Sequence, residues 1–140
     1  DYEEVLRRSV CVSADVNAAL DPTFPDVHDP RNAARMNCGV CLTKYTGARG
    51  KGATNDASAE TLSYVTNVFD EANVAWQTGE LGKVDQGGGG TIAKFVSNRN
   101  VDTVDIGVPM LSMHAPFELV AKQDVLMTYR AFLAFATARQ

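Results

Sequence analysis

Four short apolar runs alternate along this chain with segments whose apolar residues recur at helical spacing, and that alternation narrows the fold more than any other feature. The runs cover residues 9–14, 39–44, 74–78 and 101–110. Each suits a buried strand, and in the last one Val104, Ile106 and Val108 alternate with other residues. Between them, Ser58 stands where an N-cap belongs, ahead of Leu62, Val65, Val68 and Phe69 in a segment running to about Glu71. Ile92, Phe95 and Val96 form the apolar face of a shorter helix. Residues 122–139 carry a longer stripe through Val125, Leu126, Tyr129, Phe132, Leu133 and Phe135. Residues 1–8 also read as helix. The pattern predicts one α/β domain, a sandwich around a mostly parallel sheet.

With 140 residues, 45% hydrophobic and 21% charged, the chain has the composition of a globular domain. Its net charge of −4 and its lack of a basic block argue against nucleic acid as a partner. No run reaches the ~20 apolar residues of a membrane helix, so neither a membrane partner nor a signal peptide is expected, and a cytoplasmic location is. The chain opens directly in helical pattern without an initiator Met, which suggests a start in mid-domain. Cys11, Cys38 and Cys41 are odd in number and sit among apolar neighbours, as reduced core thiols do. Cys38 and Cys41 have CxxC spacing, but no second pair or nearby His completes a zinc site.

Two loops stand out. Residues 21–35 are rich in Pro, Asp and Asn, which marks a long irregular excursion with a functional or interfacial role. Residues 45–56 hold Gly47, Gly50 and Gly52 with Arg49 and Lys51, and read as a glycine-rich basic loop.

Few residues offer chemistry. His114 follows a strand and precedes Ala115-Pro116, an address that presents an imidazole outward either as a ligand or as a hydrogen-bonded structural group. His28 lies in the irregular excursion and is expected in an exposed loop or at a subunit contact. Asp15, at the end of the first strand, would need a cation or several donors if desolvated. A metal ion satisfies that need, and so does a helix cap. The run Gly87 to Gly90 ahead of a helix fits an anion-binding loop or close packing of a turn. Lys44, Arg49 and Lys51 fit a carboxylate or phosphate clamp or a solvated basic loop. Glu80, Lys83 and Asp85 pose the same choice.

The stretch Ile106-Gly107-Val108-Pro109-Met110-Leu111-Ser112-Met113-His114-Ala115-Pro116-Phe117-Glu118 closely resembles the C-terminal signature of the aminopeptidase I / aspartyl aminopeptidase family of dinuclear zinc metallopeptidases. Ser13-Ala14-Asp15-Val16-Asn17, Thr43-Lys44-Tyr45, the stretch from Ala53 to Glu60 and Gly90-Thr91-Ile92-Ala93 follow the bacterial aminopeptidase I branch of that family in the same order.

The resemblance implies a three-layer zinc-peptidase (phosphorylase/hydrolase-like) catalytic domain with two divalent metal ions, zinc by family habit, bridged by an aspartate. One ion takes a further Asp and the other a His, at positions matching Asp15 and His114. Lys44 resembles a lysine lining the substrate pocket, and Gly89 and Gly90 resemble the pocket wall. The general-base Glu, its Glu neighbour, an N-terminal His and the bridging Asp have no counterparts here. Residues 1–140 are therefore expected to be the C-terminal portion of the catalytic domain, without its upstream portion and oligomerisation subdomain, and to be inactive alone. Asp21-Pro22-Thr23-Phe24 replaces the His-Pro-Asn-Tyr pattern of acidic-specific members, so a preference for N-terminal Asp or Glu does not carry over. The family implies peptide substrates and a homo-oligomeric dodecamer. The rival expectation is a non-catalytic lobe that packs against a separate chain, with Asp15 as a cap and His114 as a structural residue.

Overall fold

The computed structural model describes residues 1–49, 52–83 and 85–138. Gly50, Lys51, Val84, Arg139 and Gln140 lie outside the described residues, and with them Lys51 of the basic loop and the end expected at Arg139 for the last helix.

Strand β1 (Val10–Ala18) pairs in parallel with β6 (Asp102–Leu111) over nine registered positions. Strand β2 (Val40–Thr43) runs antiparallel to β6 and parallel to β5 (Trp76–Thr78). The order is β1-β6-β2-β5, with β7 (Leu119–Val120) paired antiparallel to the end of β6. The sheet is thus mixed: its longest ladder is parallel as expected, and β2 inverts against β6 after the long excursion that precedes it.

Side chains alternate across a strand and registered partners share a face, so the register divides the sheet into two unlike surfaces. Val12, Val104, Ile106, Leu42 and Val40 fall on one of them. Helices α2 (Ala59–Glu71) and α4 (Lys122–Thr137) cover that face, where Val65, Phe69, Met127 and Ala131 join the strand residues in the core. In α2 the buried positions Thr61, Val65 and Phe69 are spaced by four, and the Ser58 Oγ accepts the Thr61 N–H at 3.1 Å, capping the helix where the sequence suggests.

Ser13, Asn17, Thr43, Thr103 and Asp105 fall on the opposite face and are all buried. A hairpin of β3 (Tyr45–Ala48) and β4 (Gly52–Asp56) and the short helix α3 (Ala93–Ser97) lie against that side. Asn55 of the hairpin donates from Nδ2 to the Thr103 carbonyl at 3.0 Å, and Asn17 donates to the Thr43 Oγ1 at 2.6 Å. The stretch expected to be a loop is this hairpin. It escapes pattern reading because the face it covers is polar, so its buried side chains, Thr46 and Asn55, do not alternate with the apolar signature of a strand.

Helix α1 (Tyr2–Arg7) is capped by Asp1, which accepts the Glu3 N–H. At the first turn of α4, Asp124 is fully buried, and its two carboxyl oxygens accept the backbone N–H groups of Asn37 at 2.7 Å and Gly39 at 2.8 Å. This contact fastens the entry of β2 to α4 across the core face. Replacing Asp124 with Ala strands the buried N–H of Gly39 and the part-buried N–H of Asn37 and should lower the unfolding free energy by about 3 kcal/mol. A urea titration of the two proteins measures it, and Asp124→Asn, which keeps one acceptor, should fall between them.

Candidate metal centre

Where the polar face meets the turn that follows β6, a cleft of about 160 Å³ opens. Its walls include Asp15 and Asn17 of β1, Thr43 of β2, Asp105 and Gly107 of β6, the run Gly89-Gly90-Thr91, and Met113 and His114. Four of the five residues singled out from the sequence, Asp15, Gly89, Gly90 and His114, therefore border one space.

Asp15 is exposed within β1, short of the strand end expected for it, because pairing with β6 continues to Ala18 opposite Met110. Its Oδ1 accepts the Val16 N–H at 2.7 Å. Opposite it in register is Gly107, where any Cβ would lie 1.7 Å from the Asp15 carbonyl oxygen. A glycine is the residue that lets the two strands close at this point.

His114 is exposed on a turn in which the Ala115 N–H donates to the Ser112 carbonyl at 2.9 Å. Its φ of +68° lies in the left-handed region, as does Ser112 at +57°. Residues with a Cβ avoid that region unless their surroundings hold them there. The Glu118 Oε1 accepts the His114 backbone N–H at 2.7 Å.

The glycine run forms a wall packed on the hairpin. The Gly47 N–H donates to the Gly89 carbonyl at 2.8 Å. Gly88 has a φ of +108°, and a Cβ there would meet the Gly47 oxygen at 2.2 Å. Close packing accounts for the glycine at that position.

Lys44 stands apart from the cleft lining. Its ammonium pairs with Asp56 and lies 5.6 Å from the centre of the Tyr45 ring.

Asp105 went unremarked in the sequence, although it places a charge between the alternating Val104 and Ile106 of a strand expected to be buried. Only 3% exposed, it has no hydrogen-bond partner on either carboxyl oxygen. Burial pushes this carboxyl above the usual carboxylate range, and the Asp15 charge adds to the push, while polar groups of Ser13, Thr91 and Asn55 temper it. Ser13 Oγ and Asn17 Oδ1 are also buried without partners, so unpaired polar atoms gather on the cleft floor.

The CxxC pair divides: Cys38 is exposed and Cys41 buried. Burial first, and the Glu80 charge, push the Cys41 thiol up to about 12 against a lowering contact from Thr43. At about pH 8 a thiol reagent should therefore modify Cys38 readily and Cys41 only on unfolding. Equal labelling rates, read by peptide mass spectrometry, would contradict the structure.

His28 departs from expectation. It is buried, 5% exposed, with Nδ1 unpartnered. The excursion folds back on β1, with the Leu20 N–H donating to the Ala34 carbonyl at 2.7 Å, and so buries a residue expected on the surface. Burial lowers the His28 pKa, opposed in part by Asp21. The unfolded chain thus takes up a proton in the ordinary imidazole range that the folded chain resists. Stability present above that range is lost as pH falls through it. The urea midpoint should drop between about pH 7.5 and about pH 5.5, and His28→Gln should reduce the drop.

The model of the aminopeptidase I zinc metalloprotease family, M18, matches residues 1–136. The chain belongs to that family. A probable M18 family aminopeptidase 1 of Thermotoga neapolitana is 54% identical over 128 residues, 91% of this chain and 28% of that protein. The crystal structure of an M18 aminopeptidase from Thermotoga maritima superposes with a TM-score of 0.91 at 51% identity, covering 95% of this chain and 30% of the other. Aminopeptidase I of Clostridium acetobutylicum gives 0.92 at 43% identity, over 97% and 30%. The chain spans less than a third of these M18 relatives.

Carboxylate oxygen and imidazole nitrogen are both ordinary zinc donors, so Asp15 and His114 fit the metal this family is named for. Among the described residues no group of three or more His, Cys, Asp or Glu side chains gathers to hold an ion.

Proposed function

We propose that the protein carrying this segment is a metal-dependent aminopeptidase that removes N-terminal residues from peptides, and that residues 1–140 are the C-terminal portion of its catalytic domain. Asp15 and His114 each hold one ion of a zinc pair, and Gly89 and Gly90 wall the space that receives the substrate. The observation that carries this reading is the cleft itself: two donors from distant parts of the chain open onto one space beside a glycine wall.

Each residue has a distinct task. Asp15, on a strand paired over nine positions, offers a carboxylate from a rigid base. His114 offers its imidazole from the turn across the cleft. With no side chain at Gly89 or Gly90, a peptide backbone can approach closely. The metal pair, when bound, supplies the Lewis acidity for peptide hydrolysis. The general base and the bridging carboxylate come from outside residues 1–140. Lys44 can seat a substrate carboxylate or carbonyl only by exchanging Asp56 for it.

The assembly reading is a homo-oligomer, the dodecamer by resemblance, supported by the large exposed apolar side chains Phe24 and Val27 on the excursion. Three free cysteines fit a reducing, cytoplasmic compartment. No helix among the described residues is long and apolar enough to cross a membrane.

In the full-length enzyme, His114→Ala should release one of the two ions, read by elemental analysis, and reduce turnover on the order of a hundredfold or more. Full occupancy with normal turnover would refute the assignment. The isolated segment should show no peptidase activity.

A further inference from the structure

We propose that Glu118 is the positioning residue that holds His114 in its ligand orientation, an inference that rests on the reading of His114 as a metal ligand. The argument begins with the loop that carries both residues. Its ends are fixed by the β6–β7 ladder, where Leu111 pairs with Leu119 and Met110 with Val120. Between those ends, Ser112 and His114 both adopt positive φ, and the turn closed by the Ala115 N–H places His114 where glycine or asparagine is usual. Histidine tolerates that conformation better than most side chains but still at a cost, which a neighbouring hydrogen bond offsets.

Glu118 meets this need. It is the last residue before β7, and its Oε1 reaches back across the mouth of the loop to the His114 backbone N–H at 2.7 Å. The contact fixes the peptide plane entering His114 and with it the direction of the Cα–Cβ bond. Met113, half-buried in the cleft wall, anchors the turn on its other side. Glu118 is exposed and its bond to His114 is a surface contact, so its contribution falls on the geometry of the turn more than on the stability of the fold.

The test is zinc titration of the full-length protein against a competing chelator, with the melting temperature of the metal-free protein measured alongside. Glu118→Ala should weaken one of the two zinc positions roughly 10- to 100-fold while the metal-free melting temperature changes little. Glu118→Gln, which keeps an oxygen acceptor at the same reach, should bind zinc nearly as the parent does. Glu118→Asp, one methylene shorter, should behave like Ala although it keeps the charge. If Glu118→Ala does not fold, the Gln and Asp variants decide the matter between them. Gln as weak as Ala overturns the proposal. Parent-like zinc binding in Ala and Asp, with one ion lost in His114→Ala, overturns it and leaves the ligand reading standing. Both ions retained in His114→Ala removes the ligand reading and the proposal together.

Discussion

The parallel pairing of β1 with β6 is the constraint on which the rest of the structure depends. Its register sets Asp15 against Gly107 and Ser13 against Asp105, and the alternation of side chains then assigns every residue of both strands to a face. A one-position slip of β1 would send Asp15 into the apolar core and Val12 toward the cleft, and a slip of β6 would do the same with Asp105 against Val104 and Ile106. Neither exchange is tolerable, because an unpaired carboxylate in a dry core is costly and the helices α2 and α4 would lose their apolar partners. Core and candidate site are thus specified by one register, held by Gly107 where the strands come closest.

The legibility of the sequence follows from this division. Elements that bury an apolar face announced themselves in part: α2 runs from its Ser58 cap to Glu71 as its spacing predicts, whereas α4 starts at Lys122 as expected but turns Met127 and Ala131 to the core and leaves Val125, Leu126, Tyr129 and Leu133 of the expected stripe exposed. Elements that cover the polar face did not. The β3–β4 hairpin shows no apolar alternation because it covers a polar face, where its buried Asn55 donates to the Thr103 carbonyl, and the burial of His28 comes with a fold-back of the excursion, marked by the Leu20–Ala34 backbone contact, that no local pattern encodes. At the candidate site, spacing alone balanced a metal role against a cap for Asp15 and favoured a structural role for His114, and only folding brings them to one cleft. Asp105 was visible in principle as an acid in a buried strand, but its significance is a matter of which face it occupies.

The two donors rest on unlike supports. Asp15 belongs to the longest ladder of the sheet, so its backbone position is tied to the whole fold. His114 hangs on a loop between two registered pairs and depends on contacts within that loop for its conformation. Positions built on a sheet are more precise than those built on loops, so the alignment of the pair is governed mainly by the His114 side.

The polar face has a thermodynamic consequence of its own. Unfolding a sheet sandwiched between two apolar layers exposes hydrocarbon from both sides and raises the heat capacity strongly. Here one side exposes Ser13, Asn17, Thr43, Thr103 and Asp105 instead, and hydration of polar groups lowers the heat capacity. The domain should accordingly have a flatter dependence of stability on temperature than an α/β sandwich of equal length with two apolar faces.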